Sequence, residues 1–376
     1  MSTRASDLPF DAVRVPAEAL GLKRATLWAL LASKIVTGWG VQWDIQWHVL
    51  IGRDSFWIPP HLITYAGVSA AVFLSFGVLF WETWRGTGGV RVLGLRGSRG
   101  FQLAAWGMAV TIIAAPIDDL WHRLFGLDVT LWSPPHLLGI LGGLVASVAC
   151  LVIAREVYPS HRAARWLGMV LAGMLLYRGL ALVAQPAFLL AHAQGGLWFH
   201  APAILSAILL PLALVVTAML TGWRWSPAAV VVAALLTGAV GQRVADTGFD
   251  LLQPVSVIDE EVAKDPTSPV ANAVAIARQN GTPPGRSGLA ELLVSLLAAL
   301  AMVAVDARRR PAAAGLAYGM VLFALMGWML AGAPAFASMR PDIGLTVVAC
   351  AITALAALAS GRAGHALAAA LGADSR

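Results

Sequence analysis

Apolar runs follow one another along almost the whole 376-residue chain, and nothing constrains its fold more. Each run is close to the roughly 20 residues that a helix needs to cross the hydrocarbon of a bilayer. They fall at about 25–47, 60–82, 101–122, 136–154, 165–188, 201–222, 227–249, 288–305, 313–333 and 343–360. Strands of a membrane barrel would alternate polar and apolar residues, and these runs do not. Helices, which satisfy their own backbone in lipid, are the expected alternative. Charged residues make up 12% of the chain and apolar ones 59%, against about a quarter charged in soluble domains. The expected fold class is an all-α integral membrane protein, a polytopic bundle of about ten transmembrane helices.

The net charge of +6 raises the question of a nucleic-acid partner, and the placement of the charges argues against one. With both termini on one side of such a bundle, seventeen of the 26 Lys and Arg residues fall on that side, among them Lys23, Arg24, Arg155 and Arg308. Six fall on the other, and Lys34, Arg178 and Arg243 lie inside spans. That bias is the positive-inside pattern. It predicts a multi-pass protein of the cell membrane with both termini cytoplasmic, whose surroundings are lipid and not nucleic acid. Cys150 and Cys350 fall within spans, where thiols read as packing residues.

One stretch occurs twice. The first copy runs from Asp44 through Trp47, His48, Gly52, Asp54, Trp57, Pro59 and Pro60 to His61. The second runs from Asp118 through Trp121, His122, Gly126, Asp128, Trp132, Pro134 and Pro135 to His136. Nine positions agree in order across a one-residue insertion, and each copy spans the end of one apolar run and the start of the next. The sequence therefore divides into a cytoplasmic tail at 1–24 and a duplicated hairpin region at 25–155. Membrane helices with further polar outer-face residues follow at 156–251, then an extracytoplasmic cap or loop at 252–287. C-terminal membrane helices and a tail complete the chain at 288–376.

Asp44 and His48 are four residues apart, as are Asp118 and His122, so on a helix each pair shares a face one turn apart. The Pro pairs suit the first turn of the following helix, where no intrahelical N–H bond is lost. His61 and His136 follow directly and can face the Asp/His pairs across a short turn. Each hairpin then offers one carboxylate and two imidazoles, a set suited to copper, iron or zinc and too rich in nitrogen for magnesium or calcium. Asp and His at the membrane edge are costly and commonly functional, although Asp–His pairs also serve as structural hydrogen bonds. Asp54 and Asp128 read either as groups that orient a ligating His or as turn residues. Trp47, Trp57, Trp121 and Trp132 read as an interfacial aromatic belt.

Weaker signals lie on the same side. His192 and His200 flank a Gly pair, and Gln242, Arg243, Asp246 and Asp250 fall near one face of the seventh run. Arg178 and Arg243 need partners inside the bilayer, and Asp246 or Asp250 could supply an ion pair. A shared polar cavity is the alternative.

The pattern Asp44-x3-His48-x4-Arg53-Asp54-x-Phe56-x2-Pro59-x-His61-x3-Tyr65 resembles the C subunit of the copper-containing membrane monooxygenases, the methane and ammonia oxidisers. Asp118-x3-His122-x13-His136 resembles that family's second site, at a similar distance downstream, with Asp118 where the family has Asn. The resemblance covers roughly 25–155, at most as far as about 220, and not the last 150 or so residues. It implies two copper sites near the outer face, Asp44/His48/His61 and Asp118/His122/His136. It also implies O2 and a small apolar substrate, with partner subunits or a homo-oligomer. Iron is the alternative metal, because two His and a carboxylate also describe a non-haem iron triad. A membrane copper protein that stores, delivers or senses the metal without catalysis is the alternative function.

Overall fold

The computed structural model describes residues 17–53, 55–125, 131–283 and 289–372, with the side chains of Ala17, His122 and 289–292 outside the description. Two long antiparallel helical pairs open the chain: α1 (Ala17–Leu50) with α2 (Pro59–Trp84), and α3 (Arg99–Phe125) with α4 (Pro134–Val157). Then come α5 (Ala163–Ala184), the short α6 (Ala187–Gln194), a 3-10 turn at Gly196–His200, α7 (Ala201–Thr221) and α8 (Ser226–Leu252). After α9 (Ile258–Lys264) and α10 (Pro269–Asn280) the chain ends with α11 (Leu289–Val305), α12 (Pro311–Gly332), a 3-10 turn at Pro334–Met339, and α13 (Ile343–Ala370). Among the described residues the architecture is all-α apart from one small hairpin, β1 (Val90–Val92) paired antiparallel with β2 (Leu95–Gly97).

Among the described residues, eight helical segments are long and apolar enough to cross a membrane. They make the chain a multi-pass membrane protein. α1 and α11 occupy the positions of the other two expected spans. α1 carries Lys34, Gln42, Asp44, Gln46 and His48 along its length, and the apolar stretch described in α11 is only 293–305.

Two extramembrane segments carry more helix than their composition suggests. The tail expected at 1–24 is already helical from Ala17. The charges there looked like tail, but Lys23 is buried against Glu82 of α2, and the Arg24 Nε donates to the Val157 carbonyl at 2.9 Å. The segment 252–287 holds two helices rather than loop alone. Ser268 caps α10 by accepting from the Ala271 N–H at 3.1 Å.

Close helix approach depends on small residues, because lipid supplies no hydrophobic drive between helices. A methyl on Gly67 of α2 would meet Ser33 O at 2.6 Å, and one on Gly107 of α3 would meet Gly142 O of α4 at 2.9 Å. Farther on, Pro211 lies inside α7, and the next N–H, that of Leu212, donates to Ser360 Oγ of α13 at 3.1 Å. The buried Tyr177 and Tyr318 hydroxyls, 3.0 Å apart, join α5 to α12.

One end of the bundle is closed by arginines on helix C-termini. Arg155 donates to Leu371 O and Gly372 O, both at 2.6 Å. Arg224 donates to Val303 O at 3.0 Å and Ala304 O at 3.2 Å, and Arg308 to Gly222 O at 2.6 Å. Cations there meet the negative ends of the helix dipoles. The turns of the two opening hairpins lie at the opposite end.

Candidate metal centre

The same local chemistry shapes both hairpin turns. Ile58 before α2 sits at φ −65°, ψ 149°, and Ser133 before α4 at φ −69°, ψ 150°. A following Pro forces that extended conformation, and the two Pro residues then start each helix without losing a bond. The next residue, His61 or His136, projects from the first turn toward the preceding helix.

In the first hairpin His61 Nε2 lies 3.1 Å from Asp44 Oδ1, and His48 Nδ1 lies 3.6 Å from the same oxygen. The side chains of Asp44, His48 and His61 are 24, 19 and 20% exposed, sheltered but reachable. His61 Nδ1 is 3.0 Å from the Ser55 carbonyl, and His48 Nδ1 is 2.9 Å from the Asp44 carbonyl. A carbonyl can only accept, so both rings carry their proton on Nδ1 and a neutral ring presents a lone pair at Nε2. The His61 lone pair then points at a carboxylate oxygen that is itself buried without a hydrogen bond. Two acceptors 3.1 Å apart repel each other unless a proton or a cation lies between them.

A metal meets that requirement. Two ligands at about 2.0–2.1 Å from one ion in tetrahedral geometry are about 3.3 Å apart. The 3.1 Å Asp44–His61 separation is close to this, as is the 3.4 Å from Asp118 Oδ1 to His136 Nε2 in the second hairpin. His48 stands beside the first pair, its ring centre 6.4 Å from that of His61. Among the described residues, no three His, Cys, Asp or Glu side chains already converge closely enough to hold an ion. The side chain of His122 and the whole of Asp54 and Asp128 lie outside the described residues.

Aromatic rings surround the first site. Tyr65 lies 5.7 Å from the His61 ring and 4.9 Å from Phe56, and Phe56 packs edge-on against the exposed Trp57 at 4.7 Å. Trp47 is no belt residue. It is 6% exposed, stacks on Phe249 of α8 at 5.9 Å and gives its indole N–H to Arg53 O at 2.9 Å. Gly52, at φ 76°, lets the turn press on Ile258 of α9, where a methyl would meet Ile258 Cα at 3.0 Å. The Val257 N–H reaches Ile51 O at 2.8 Å and Ser256 Oγ reaches Leu50 O at 2.6 Å. The first site is thus strapped down by a segment about 200 positions later.

The opposite side of α1 carries a polar ribbon to α5 and α8 that only the structure makes visible. Gln46, fully buried, and Gln242 exchange two amide hydrogen bonds of 3.0 Å, and Gln242 also donates to Asp246 Oδ1 at 2.9 Å. Arg178 donates to Gln42 Oε1 and Ala234 O, both at 3.0 Å. The expected ion pair between Arg178 and Asp246 or Asp250 does not form. Oxygen dipoles already surround the guanidinium, and Asp250 is exposed on another side of α8 with Arg243.

The structure does not bring His192 and His200 to either hairpin site. His200, 4% exposed, stacks on Phe323 at 4.7 Å with neither ring nitrogen hydrogen-bonded. His192 packs edge-on against Phe336 at 5.9 Å. Sequence spacing could not reveal that α12 and its following turn would intervene.

No protein-family model, curated protein or solved structure matches this chain.

Proposed function

We propose that this chain is a copper-dependent membrane monooxygenase, or the metal-binding subunit of one, oxidising a small apolar substrate with O2. In this reading the bundle has ten spans with both termini cytoplasmic. Its two hairpins descend from one duplicated unit at the outer face. The observation that carries the reading is the buried Asp44 oxygen opposed to His61 Nε2 while His61 Nδ1 is committed to Ser55.

Asp44, His48 and His61 would hold one ion, and Asp118, His122 and His136 the other. Copper, when bound, would supply the one-electron chemistry that O2 activation needs. The chain's own contribution is positioning. The Ser55 and Asp44 carbonyls fix the two rings with Nε2 outward, as outer hydrogen bonds do for metal-ligating histidines. Phe56, Trp57 and Tyr65 give the site an apolar flank through which a lipid-soluble molecule can approach. Asp118 in place of Asn adds a negative charge at the second site and favours a more oxidised metal there.

The test is metal content per chain, by mass spectrometry, on protein purified in native-like lipid. The expected result is about two coppers, with roughly one lost in His61→Ala and both in His61→Ala/His136→Ala. Iron in place of copper would select the non-haem iron reading. Copper without oxidation of any apolar substrate would select storage, delivery or sensing. No metal after reloading with either would leave an imidazolium–carboxylate pair and overturn the proposal.

A further inference from the structure

Two clefts meet at one arginine, away from the hairpin sites. The larger, about 520 Å³, is lined by Trp328, Met329, Gly332 and Ala333 of α12 and its end, and by Arg340. The smaller, about 330 Å³, is lined by His192, Gln194, Gly195, Gly196, Ser338 and the same Arg340. The first is apolar apart from Arg340, and Trp328 is 77% exposed on its rim. The second is polar, and His192 Nδ1 there is buried without a hydrogen bond. Among the described residues, no carboxylate lines either cleft.

Arg340 follows α12 in the turn before α13 and donates from Nη2 to Ala331 O. That contact uses one N–H of five, and none of the ion pairs among the described residues neutralises the guanidinium. The nearby Asp342 is engaged as the N-cap of α13, accepting from the Leu345 N–H at 2.8 Å. An unneutralised cation at the end of a membrane helix, between an apolar and a polar cleft, has the layout of an amphiphile site. Basic pockets between membrane helices take lipid headgroups in this way, and a guanidinium forks onto phosphate oxygens.

We propose that Arg340 binds the phosphate of an anionic glycerophospholipid. The headgroup lies in the cleft of His192, Gln194 and Ser338, and one acyl chain runs along Trp328 and Met329. The site is independent of any metal. It ties the 3-10 turn after α12 to α6, and so stabilises the packing of the C-terminal helices against the rest of the bundle.

The test is the melting temperature of the delipidated full chain in detergent. It is titrated separately with phosphatidylglycerol, with phosphatidylcholine of the same acyl chains, and with sodium phosphate. Phosphatidylglycerol is expected to raise the melting temperature at concentrations about fivefold lower than phosphatidylcholine, the ratio that one arginine near the surface confers. Arg340→Gln is expected to abolish that preference, Arg340→Lys to keep part of it, and Trp328→Ala to weaken the response to both lipids. Equal responses to the two lipids would overturn the charge assignment. Full stabilisation by sodium phosphate alone would reduce the site to one for free phosphate and overturn the lipid. Should Arg340→Gln fail to fold, the Lys and Trp328 variants decide the question by the same criteria.

Discussion

The reciprocal amide pair between Gln46 and Gln242 gives the sharpest quantitative test of how α1 is held. Replacing Gln242 with Leu removes two 3.0 Å bonds to Gln46 and one of 2.9 Å to Asp246. It strands the fully buried Gln46 amide, which keeps only a stretched 3.4 Å contact to Gln42 O. A buried polar group left unpaired costs about 1–3 kcal/mol, so either single Leu variant should lose about that much. The double variant Gln46→Leu/Gln242→Leu strands neither partner of the pair. Its loss should therefore fall short of the sum of the singles. Interhelical hydrogen bonds in membranes couple by about 0.6 kcal/mol on average and up to about 1.7. Two bonds in one planar pair belong at the upper end, at about 1–2 kcal/mol. Reversible unfolding in mixed micelles would supply the four stabilities of the cycle. Additivity within about 0.3 kcal/mol would show that the amides do not act as a pair.

Other expectations follow from the same contacts. Gly107→Leu or Gly67→Leu should separate the paired helices and cost roughly 1–3 kcal/mol by overpacking; on the metal-binding proposal it should also lower metal occupancy of the adjacent hairpin in the same metal analysis. Arg155→Ala should free the Leu371 and Gly372 carbonyls and fray the last turn of α13, seen as faster amide exchange over about 365–371 with the centre of the helix unchanged. Asp306 accepts from Arg308 at 2.8 and 2.7 Å, and those bonds hold its carboxyl below the usual range. A depressed native pKa adds stability above the unfolded-state value, and that stability is lost as pH falls through the native one. Asp306→Asn, which tolerates the φ of 64°, should therefore melt lower at pH 7. The gap should close as pH drops below about 4, and a gap that persists in acid would assign the loss to something other than charge.

Much of the fold class was legible because hydropathy over about 20 residues is a strong signal in lipid. The hairpin turns were legible because a Pro pair allows few backbone conformations; α2 and α4 start at Pro59 and Pro134, within two residues of the expected positions. The N-terminal turns of α1 were missed, since their charges read as tail until Glu82 is seen to neutralise Lys23. Apolarity also hid α9 and α10, which are polar and short. In the site, the juxtaposition of Asp44 with His48 and His61 was readable from helical periodicity and a tight turn. The carbonyls that fix the imidazole tautomers could not be read, because every residue has one and only geometry selects Ser55. Nor could the surroundings of Arg178, which are amide and carbonyl oxygens rather than the carboxylates that charge matching suggests.

The strap over Gly52 sets an order on biogenesis. Val257 and Ser256 close the turn that carries Ser55 and precedes His61, yet they leave the ribosome about 200 residues after it. Until then the hairpin of α1 and α2 has its turn open. The turn of the second hairpin waits only for α5, where the Val183 carbonyl accepts from the Trp132 indole N–H at 2.8 Å, about 50 residues later. On the metal-binding proposal the two sites should thus mature at different moments, the downstream one first, and a chain truncated before Ser256 should load the second hairpin while leaving the first poorly filled.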